Sequence, residues 1–457
     1  MSKQLSNLAV KTNQQRKNRK RGLLIALGLG CIACLSATAG AILAVSLHDY
    51  KPLQKVALTG QEQEVFNNAK TVRGVATLDR PVNIVVLGVK VLTSDLEEPP
   101  EVDLGYHAVV DSFEGVSDVI LLLRFNPRQQ KLTVLSIPRD TKTYIPGHGV
   151  AKVNAANEEG GASLAAQAIS DLLGGVKIDR YIRINVQGVE QLIDALGGVT
   201  VYVPQDMQYT DHSQRLYIDL KQGTQHLNGG QALDFIRFRH DSYGDIGRVQ
   251  RQQLILRALT EKANNPDIVF KTPQIINIIQ SHIDTNLTVD ELIALSTFAS
   301  KINRMNLEMV MLPGEFNGDG RTDISYWLPN YDSIEQLMAE HFDQGYARVE
   351  YEDPRNLKIA IQDSTQNPEA VAALVLRLRQ AGYEEVYVSR DWGERLAATR
   401  IIAQTGNDAS AIALRADLGF GEVLVESTGV FGSDITIILG RDWQQQLNQA
   451  TLSKHNQ

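Results

Sequence analysis

From Gly22 to Leu47 the chain reads GLLIALGLGCIACLSATAGAILAVSL, twenty-six residues without one charged side chain. As a helix this run is ~39 Å long, enough to cross a hydrocarbon core of about 30 Å. It therefore predicts a chain divided by a membrane. Lys3, Lys11, Arg16, Lys17, Arg19, Lys20 and Arg21 precede the run with no acid among them, while Lys51 and Lys55 follow it. The positive-inside rule then places residues 1–21 in the cytoplasm as a basic tail, and residues 48–457 outside the cell membrane on a single-pass anchor. A cleaved signal peptide is the competing reading, with Ala37-Thr38-Ala39 as a small-residue cleavage site, but the apolar run is longer than a usual signal core. Both cysteines, Cys31 and Cys34, fall inside it, so the exported body has no thiol for a disulfide, a metal site or a nucleophile.

Charge is unevenly spread. Removing the seven tail residues from 45 Lys and Arg leaves 38 against 53 Asp and Glu, a net of −15 for the remainder. Such a body is a poor polyanion binder overall, which argues against nucleic acid and makes any basic site local. Within it, VNIVVLGV (82–89), DVILLLRF (118–125) and KLTVLSI (131–137) read as strands, the last two joined by a turn too short for anything but antiparallel pairing. Helices are expected at 162–173 and 187–196, each closed by Gly-Gly, with strands at 179–185 and 199–203 completing a mixed sheet flanked by helices. Helices near 273–281 and 289–300 and a strand at 307–312 finish this α/β domain, set at 81–340 after a linker or accessory segment at 48–80. A linker at 341–355 leads to a second small α/β domain at 356–443, and 444–457 forms a tail.

One stretch, FIRFRHDSYGDIGRVQRQQ (235–253), gathers Arg237, Arg239, Arg248 and Arg251 around Asp241 and Asp245. If extended, Arg237 and Arg239 share one face. Beyond Gly247 a helix begins, so that Arg248, Arg251 and Gln252 lie near its first turn, where backbone amides add partial positive charge. There is no phosphate-binding GxxxxGK[ST] loop, no HExxH, no zinc-spaced histidines and no nucleophile elbow. NGDGRTD (317–323) lacks the last acid of a calcium loop. Arginine with carboxylate remains, and the guanidinium fork suits phosphate oxygens. Surface salt bridges among Arg237, Arg239, Arg248, Asp234, Asp241 and Asp245 are the bland alternative.

Four further segments bear on that choice: NIVVLG (83–88), SDVILLLRFNPRQQKLTVLSIPRDT (117–141), AKVNAAN (151–157) and GTQHLNGGQALDFIRFRHD (223–241). Together and in order they resemble the motifs of the LytR-CpsA-Psr family of envelope enzymes, and residues 356–443 resemble the LytR C-terminal domain often appended to it. The resemblance implies a phosphotransferase that moves a glycopolymer from a polyprenyl-pyrophosphate carrier to a sugar hydroxyl of peptidoglycan or another envelope acceptor. It implies that Arg139, Arg237, Arg239 and Arg248 hold the pyrophosphate, that Asp118 binds magnesium, and that Arg251 and Gln252 support the site. Asp245 becomes the candidate for orienting or deprotonating the acceptor hydroxyl, with fixing Arg248 as its alternative role. The same resemblance implies that Asp140, Lys152 and Asn154 shape the site. The lipid tail needs an apolar slot, for which helices 162–173 and 187–196 are candidate walls.

One departure stands out. The family usually carries a second metal-binding Asp just after its first strand, in LGxD; this chain reads LGVK, with Lys90 there and a long acidic insertion behind it. Either Asp95, Asp103 or Asp111 folds back, or Lys90 supplies positive charge itself, implying weaker magnesium dependence. The alternatives to an enzyme are a non-catalytic polyprenyl-phosphate-binding assembly protein and, given the family's historical naming, a transcriptional attenuator, against which the exported acidic body argues.

Overall fold

In the computed structural model, residues 54–67, 70–72, 77–90, 113–212, 216–238, 244–263, 275, 277–279, 281–317, 325–345, 356–389, 392–406 and 408–443 are described. The uncharged run at 22–47 with Cys31 and Cys34, the acidic segment 91–112 with its three aspartates, Arg239 and Asp241, most of NGDGRTD, and the 444–457 tail lie outside them. So do the side chains of Lys90 and Asp245, whose backbones are described. Among the described residues no helix is long and apolar enough to cross a membrane.

The first sheet grows from β1 (Val82–Lys90), β2 (Val116–Asn126) and β3 (Lys131–Ser136), successive antiparallel neighbours as the short β2–β3 turn predicts. A hairpin of β4 (Lys142–Ile145) and β5 (Gly149–Lys152) follows, then the helix Ala155–Leu172 and β6 (Arg180–Asn185), which returns parallel to β1. Next come β7 (Val199–Val203), β8 (Met207–Asp211), β9 (Leu216–Leu220) and β10 (Gly223–Leu227), with β7 pairing β10 and β8 pairing β9. The expected strand at 199–203 therefore exists but stays out of the main sheet. Its exposed Thr200 and half-buried Tyr202 leave one apolar face, which an edge-to-edge place between two covered strands would not suit. β11 (Ile283–Thr285) and β12 (Leu307–Met311) complete the order β11-β6-β1-β2-β3-β12.

Alternation along β1 and β2 splits the core. Val85, Leu87, Ile120 and Leu122 face the helix Ala155–Leu172, whose Ala162, Ala165, Ala166 and Ile169 are buried and, being small, allow close approach. Ile84, Leu121 and Phe125 face the other way, toward Ala294 and Leu295 of the helix Val289–Ala299. A third cluster, with Ile193, Val201, Met207, Phe235 and Ile255, builds a lobe from β7–β10 and the helices Val186–Ala195, Gly229–Arg237 and Gly244–Ala263. Gly229 packs so tightly that a Cβ there would lie 2.2 Å from the Glu190 carbonyl oxygen.

After β13 (Gly314–Phe316) and β14 (Trp327–Pro329) comes the helix Tyr331–Phe342, unforeseen within 81–340 and running two residues past 340. His341 is not linker: its Nδ1 lies 3.1 Å from Oε2 of Glu308 on β12, while Lys131 Nζ is 2.6 Å from Oε1 and Thr133 donates at 2.9 Å. Burial alone would push the Glu308 carboxyl up, but the hydrogen bonds and charges of His341 and Lys131 override it and hold it at about 2. A depressed carboxyl stabilises the fold above its unfolded value near 4.5 and ceases to as pH falls toward 2, with ~3 kcal/mol at stake. A Glu308→Gln variant should thus melt well below wild type at pH 7, with the gap closing at pH 2.5; a gap that persists in acid would assign it to packing instead.

The C-terminal module contains β15 (Ile359–Asp363), β16 (Val386–Val388), β17 (Arg400–Ala403), β18 (Glu422–Val425) and β19 (Ile435–Leu439), in the order β16-β15-β19-β17-β18, with the helices Pro368–Gln380 and Asp408–Leu418. Just past β18, Glu426 bridges in parallel to Met309, and the Ser427 amide donates to the Met309 carbonyl at 3.0 Å. The two sheets thereby meet edge to edge along β12.

Candidate active site

The segment after β3 forms a turn in which Arg139 and Asp140 are the central residues, closed by the Thr141 amide and hydroxyl on the Pro138 carbonyl at 3.0 and 2.6 Å. Neighbours fix it on every side. The Trp327 amide donates to Asp140 O at 2.9 Å, the Val153 amide to Thr141 O at 2.8 Å and the Asn154 amide to Arg139 O at 3.2 Å, while Asn154 O accepts from the Ser117 amide at 3.2 Å. AKVNAAN thus serves as a backbone clamp between the turn and β2. Asn157 Nδ2 completes it by donating to the carbonyls of Phe113 and Gly115 at 3.0 and 2.7 Å.

Asp118 is aimed by a defect in the sheet. Gly88 pairs with Val119 and Val89 with Ser117, so Asp118 is the extra residue of a β-bulge. A Cβ on Gly88 would meet that of Val119 at 2.9 Å, which explains the glycine in LGVK. The Asp118 carboxylate receives Arg139 Nη1 at 2.7 Å; Arg139 Nε lies 3.5 Å from Asp140, and Asp140 takes Lys152 Nζ at 2.8 Å. The result is a chain of alternating charge, Asp118, Arg139, Asp140, Lys152, with Lys152 over the Tyr326 ring at 5.9 Å.

Arg237 and Arg248 arrive from two helices. LNGGQALDFIR is a helix, not an extended element: Asn228 and Gln231 form a reciprocal capping box, and Phe238 ends it with ψ 131°. Arg237 is its last residue, so the idea that Arg237 and Arg239 share a strand face does not hold. Burial pulls the Arg237 guanidinium down despite the attraction of Asp234, Asp118 and Glu190, and burial likewise pushes the Asp234 carboxyl up against the pull of Arg237. The next helix opens at Gly244, four residues before the expected start, which sets Arg248 in its second turn and removes it from the amides of the first. Arg248 is only 5 % exposed. It lines a cavity of about 160 Å³ together with Arg237, Asp118 and Gln252, and on its other side a small void shared with Arg139 and Asp140. Arg248 and Gln252 are i and i+4, hence on one helix face.

The rest of that cavity is mainly apolar, with Val189, Leu216, Leu233 and Ile236 among its walls beside Asn185 and Tyr209, and Gly88 and Ile184 toward the carboxyl ends of the parallel strands β1 and β6. Of the two helices expected to form a lipid slot, Val186–Ala195 lines it. Ala155–Leu172 supplies none of the described lining, because its alanine face is committed to the main sheet; Gly229–Arg237 takes its place. Arg251 also turns away: its guanidinium donates to Phe238 O and stacks on the Phe238 ring at 5.8 Å, fixing the end of the Arg237 helix. Lys90 ends β1 opposite Val116, and Asp245 lies in the first turn of its helix. Trp327 and the hairpin β8–β9, which contributes Tyr209 and Leu216, were not foreseen; both come from non-local packing.

Comparisons with known proteins bear on the family of the chain. Residues 50–343 match the LytR_cpsA_psr family, and residues 356–443 match the domain described as LytR cell envelope-related transcriptional attenuator. The chain is 33 % identical over 267 residues to the polyisoprenyl-teichoic acid–peptidoglycan teichoic acid transferase TagU of Oceanobacillus iheyensis, covering 57 % of this chain and 74 % of that protein. It is 28 % identical over 346 residues to Biofilm regulatory protein A of Streptococcus mutans, covering 74 % and 78 %. Among solved structures, Bacillus subtilis TagV aligns with TM-score 0.48 and 25 % identity over 58 % of this chain and 98 % of that one. With the family match spanning well over half its length, the chain belongs to the LytR-CpsA-Psr family and carries a LytR C-terminal domain.

Proposed function

We propose that this protein is a membrane-anchored phosphotransferase that moves a glycopolymer with one phosphate from a polyprenyl-pyrophosphate carrier to a sugar hydroxyl of the cell wall, outside the cell, the P–O–P link breaking as the new P–O bond forms and polyprenyl monophosphate leaving. The observation that carries the reading is the convergence of Arg237, Arg248, Gln252 and Asp118 on one mainly apolar cavity. The lipid would enter between the helices Val186–Ala195 and Gly229–Arg237. Its pyrophosphate would meet the arginines, with Arg139 reaching from the turn beside Asp118. Guanidinium groups held in a desolvated site stabilise charge that develops on the transferring phosphoryl group, and the pyrophosphate bond supplies the driving force where no nucleotide is at hand. Asp245 is assigned to orient or deprotonate the acceptor hydroxyl. Relatives named teichoic acid transferases support the reaction class.

Incubating the purified full chain with a lipid-linked glycan and peptidoglycan should yield a phosphodiester product by mass spectrometry. Lipid that binds without turnover, with or without magnesium, would convert the reading into that of an envelope assembly protein.

Among the described residues no three acidic, histidine or cysteine side chains cluster as metal ligands. A single carboxylate nevertheless suits magnesium, which is commonly held by one or two carboxylates plus substrate phosphates. Asp118 would hold it, and the ion would offset phosphate charge. With Lys90 standing at the end of β1 where a second carboxylate is usual, we expect EDTA to slow turnover by only about tenfold and Lys90→Ala to cost a similar factor. Complete loss in EDTA with a wild-type Lys90→Ala variant would refute the substitution of ammonium for metal.

A further inference from the structure

The helix that presents Arg248 and Gln252 is gripped from behind by the C-terminal module. Gln250 Nε2 donates to the carbonyls of Ser427 and Gly429 at 3.0 and 2.9 Å. Gln253 reaches in two directions: its Nε2 donates to Ser136 Oγ at 3.2 Å, and its Oε1 accepts from the Ser427 amide at 3.2 Å. Arg257 forms an ion pair with Glu426. Positions 250, 253 and 257 fall on one stripe of a 3.6-residue helix, on the side roughly opposite the stripe formed by 248 and 252. Gln253 and Glu426 are each 1 % exposed. Buried polar groups of this kind persist only when paired, so the stripe is a built joint and not a solvated face. Ser136 closes β3, and the turn carrying Arg139 starts two residues later at Pro138. The amide of Gln253 therefore spans the root of the Arg139 turn, the Arg248 helix and the Ser427 strand end.

We propose that the C-terminal module acts as a positioning element of the anion site, with Gln253 as the residue through which it sets Arg248 against Arg139. The proposal rests on the reading of those two arginines as phosphate-holding groups. Its mechanism is preorganisation. A helix whose back is clamped presents its cations at a fixed separation, so a diphosphate does not have to order them on binding.

The test uses the full chain in detergent micelles, with geranylgeranyl pyrophosphate and geranylgeraniol as probes by calorimetry, and backbone hydrogen exchange of residues 244–252. In Gln253→Leu, affinity for the pyrophosphate should fall at least tenfold while affinity for the alcohol, which only fills the apolar cavity, stays within twofold. Exchange at 244–252 should rise at least tenfold with β1 and β2 unchanged. Gln250→Ala, which touches the module and not the main sheet, should move both readings in the same direction by less. Equal weakening of both probes, or unchanged exchange at 244–252 in both variants, overturns the proposal, since general loosening would spare neither probe. Should the wild-type chain take neither probe, the lipid-pyrophosphate reading itself fails, and unchanged or raised exchange in the two variants still decides whether the module steadies the helix.

Discussion

Arg237→Ala is expected to lower glycopolymer transfer by about 10²–10³-fold, the loss typical of removing one preorganised charge donor from a transition state. The same substitution should leave the fold nearly intact. Burial already works against the Arg237 charge, and the attraction of Asp234, Asp118 and Glu190 does not fully offset it. A group held where its own charge is disfavoured is costly to the native state, a pattern expected of residues kept for function and not for stability. An Arg237→Met variant, which keeps the apolar stem, should therefore melt close to wild type while matching Ala in activity. Transfer retained at half the wild-type rate in either variant would remove Arg237 from the phosphate site.

The second large effect is steric. Val189 lines the apolar cavity from the helix Val186–Ala195, so Val189→Trp should fill part of the space reserved for the lipid. Excluding about four methylenes forfeits ~3 kcal/mol of apolar burial, close to 100-fold in affinity for a polyprenyl substrate. Inorganic pyrophosphate, which needs only the cationic end, should bind within twofold of wild type. Unchanged lipid affinity would place the tail elsewhere, and loss of pyrophosphate binding as well would mean that the tryptophan had disturbed the arginines.

Much of this architecture was legible from residues alone because it is local. Apolar runs announced β1, β2, β3 and β6, and the short connection after Asn126, which pairs with Lys131, dictated antiparallel pairing. The arginine stretch stood out by composition, and IPRDT by its resemblance to a family motif. What escaped was set at long range or by caps. Residues 232–237 carry an apolar pattern that fits a strand or a helix equally, and the Asn228–Gln231 box decided for helix. On the next helix Arg251, three positions along, ties down Phe238 while Arg248 faces the cavity. Nothing in the spacing of Asp118 revealed that it would be the extra residue of a bulge, since that depends on how β1 aligns against β2. The cavity walls likewise depend on which helix the main sheet claims first.

The meeting of the two sheets along β12 bears on how the chain should be cut for study. β12 pairs with β3 on one side and with Met309–Glu426 on the other. Ending the chain near residue 345 would strip that second side and uncover the buried Arg257 and the ring of Tyr202, which stacks on Trp392 at 5.2 Å. An unpaired strand edge is a template for intermolecular pairing. A truncated catalytic domain is thus expected to be recovered as oligomers or precipitate, and poor solubility of such a fragment would report on a lost neighbour, not on a misfolded site.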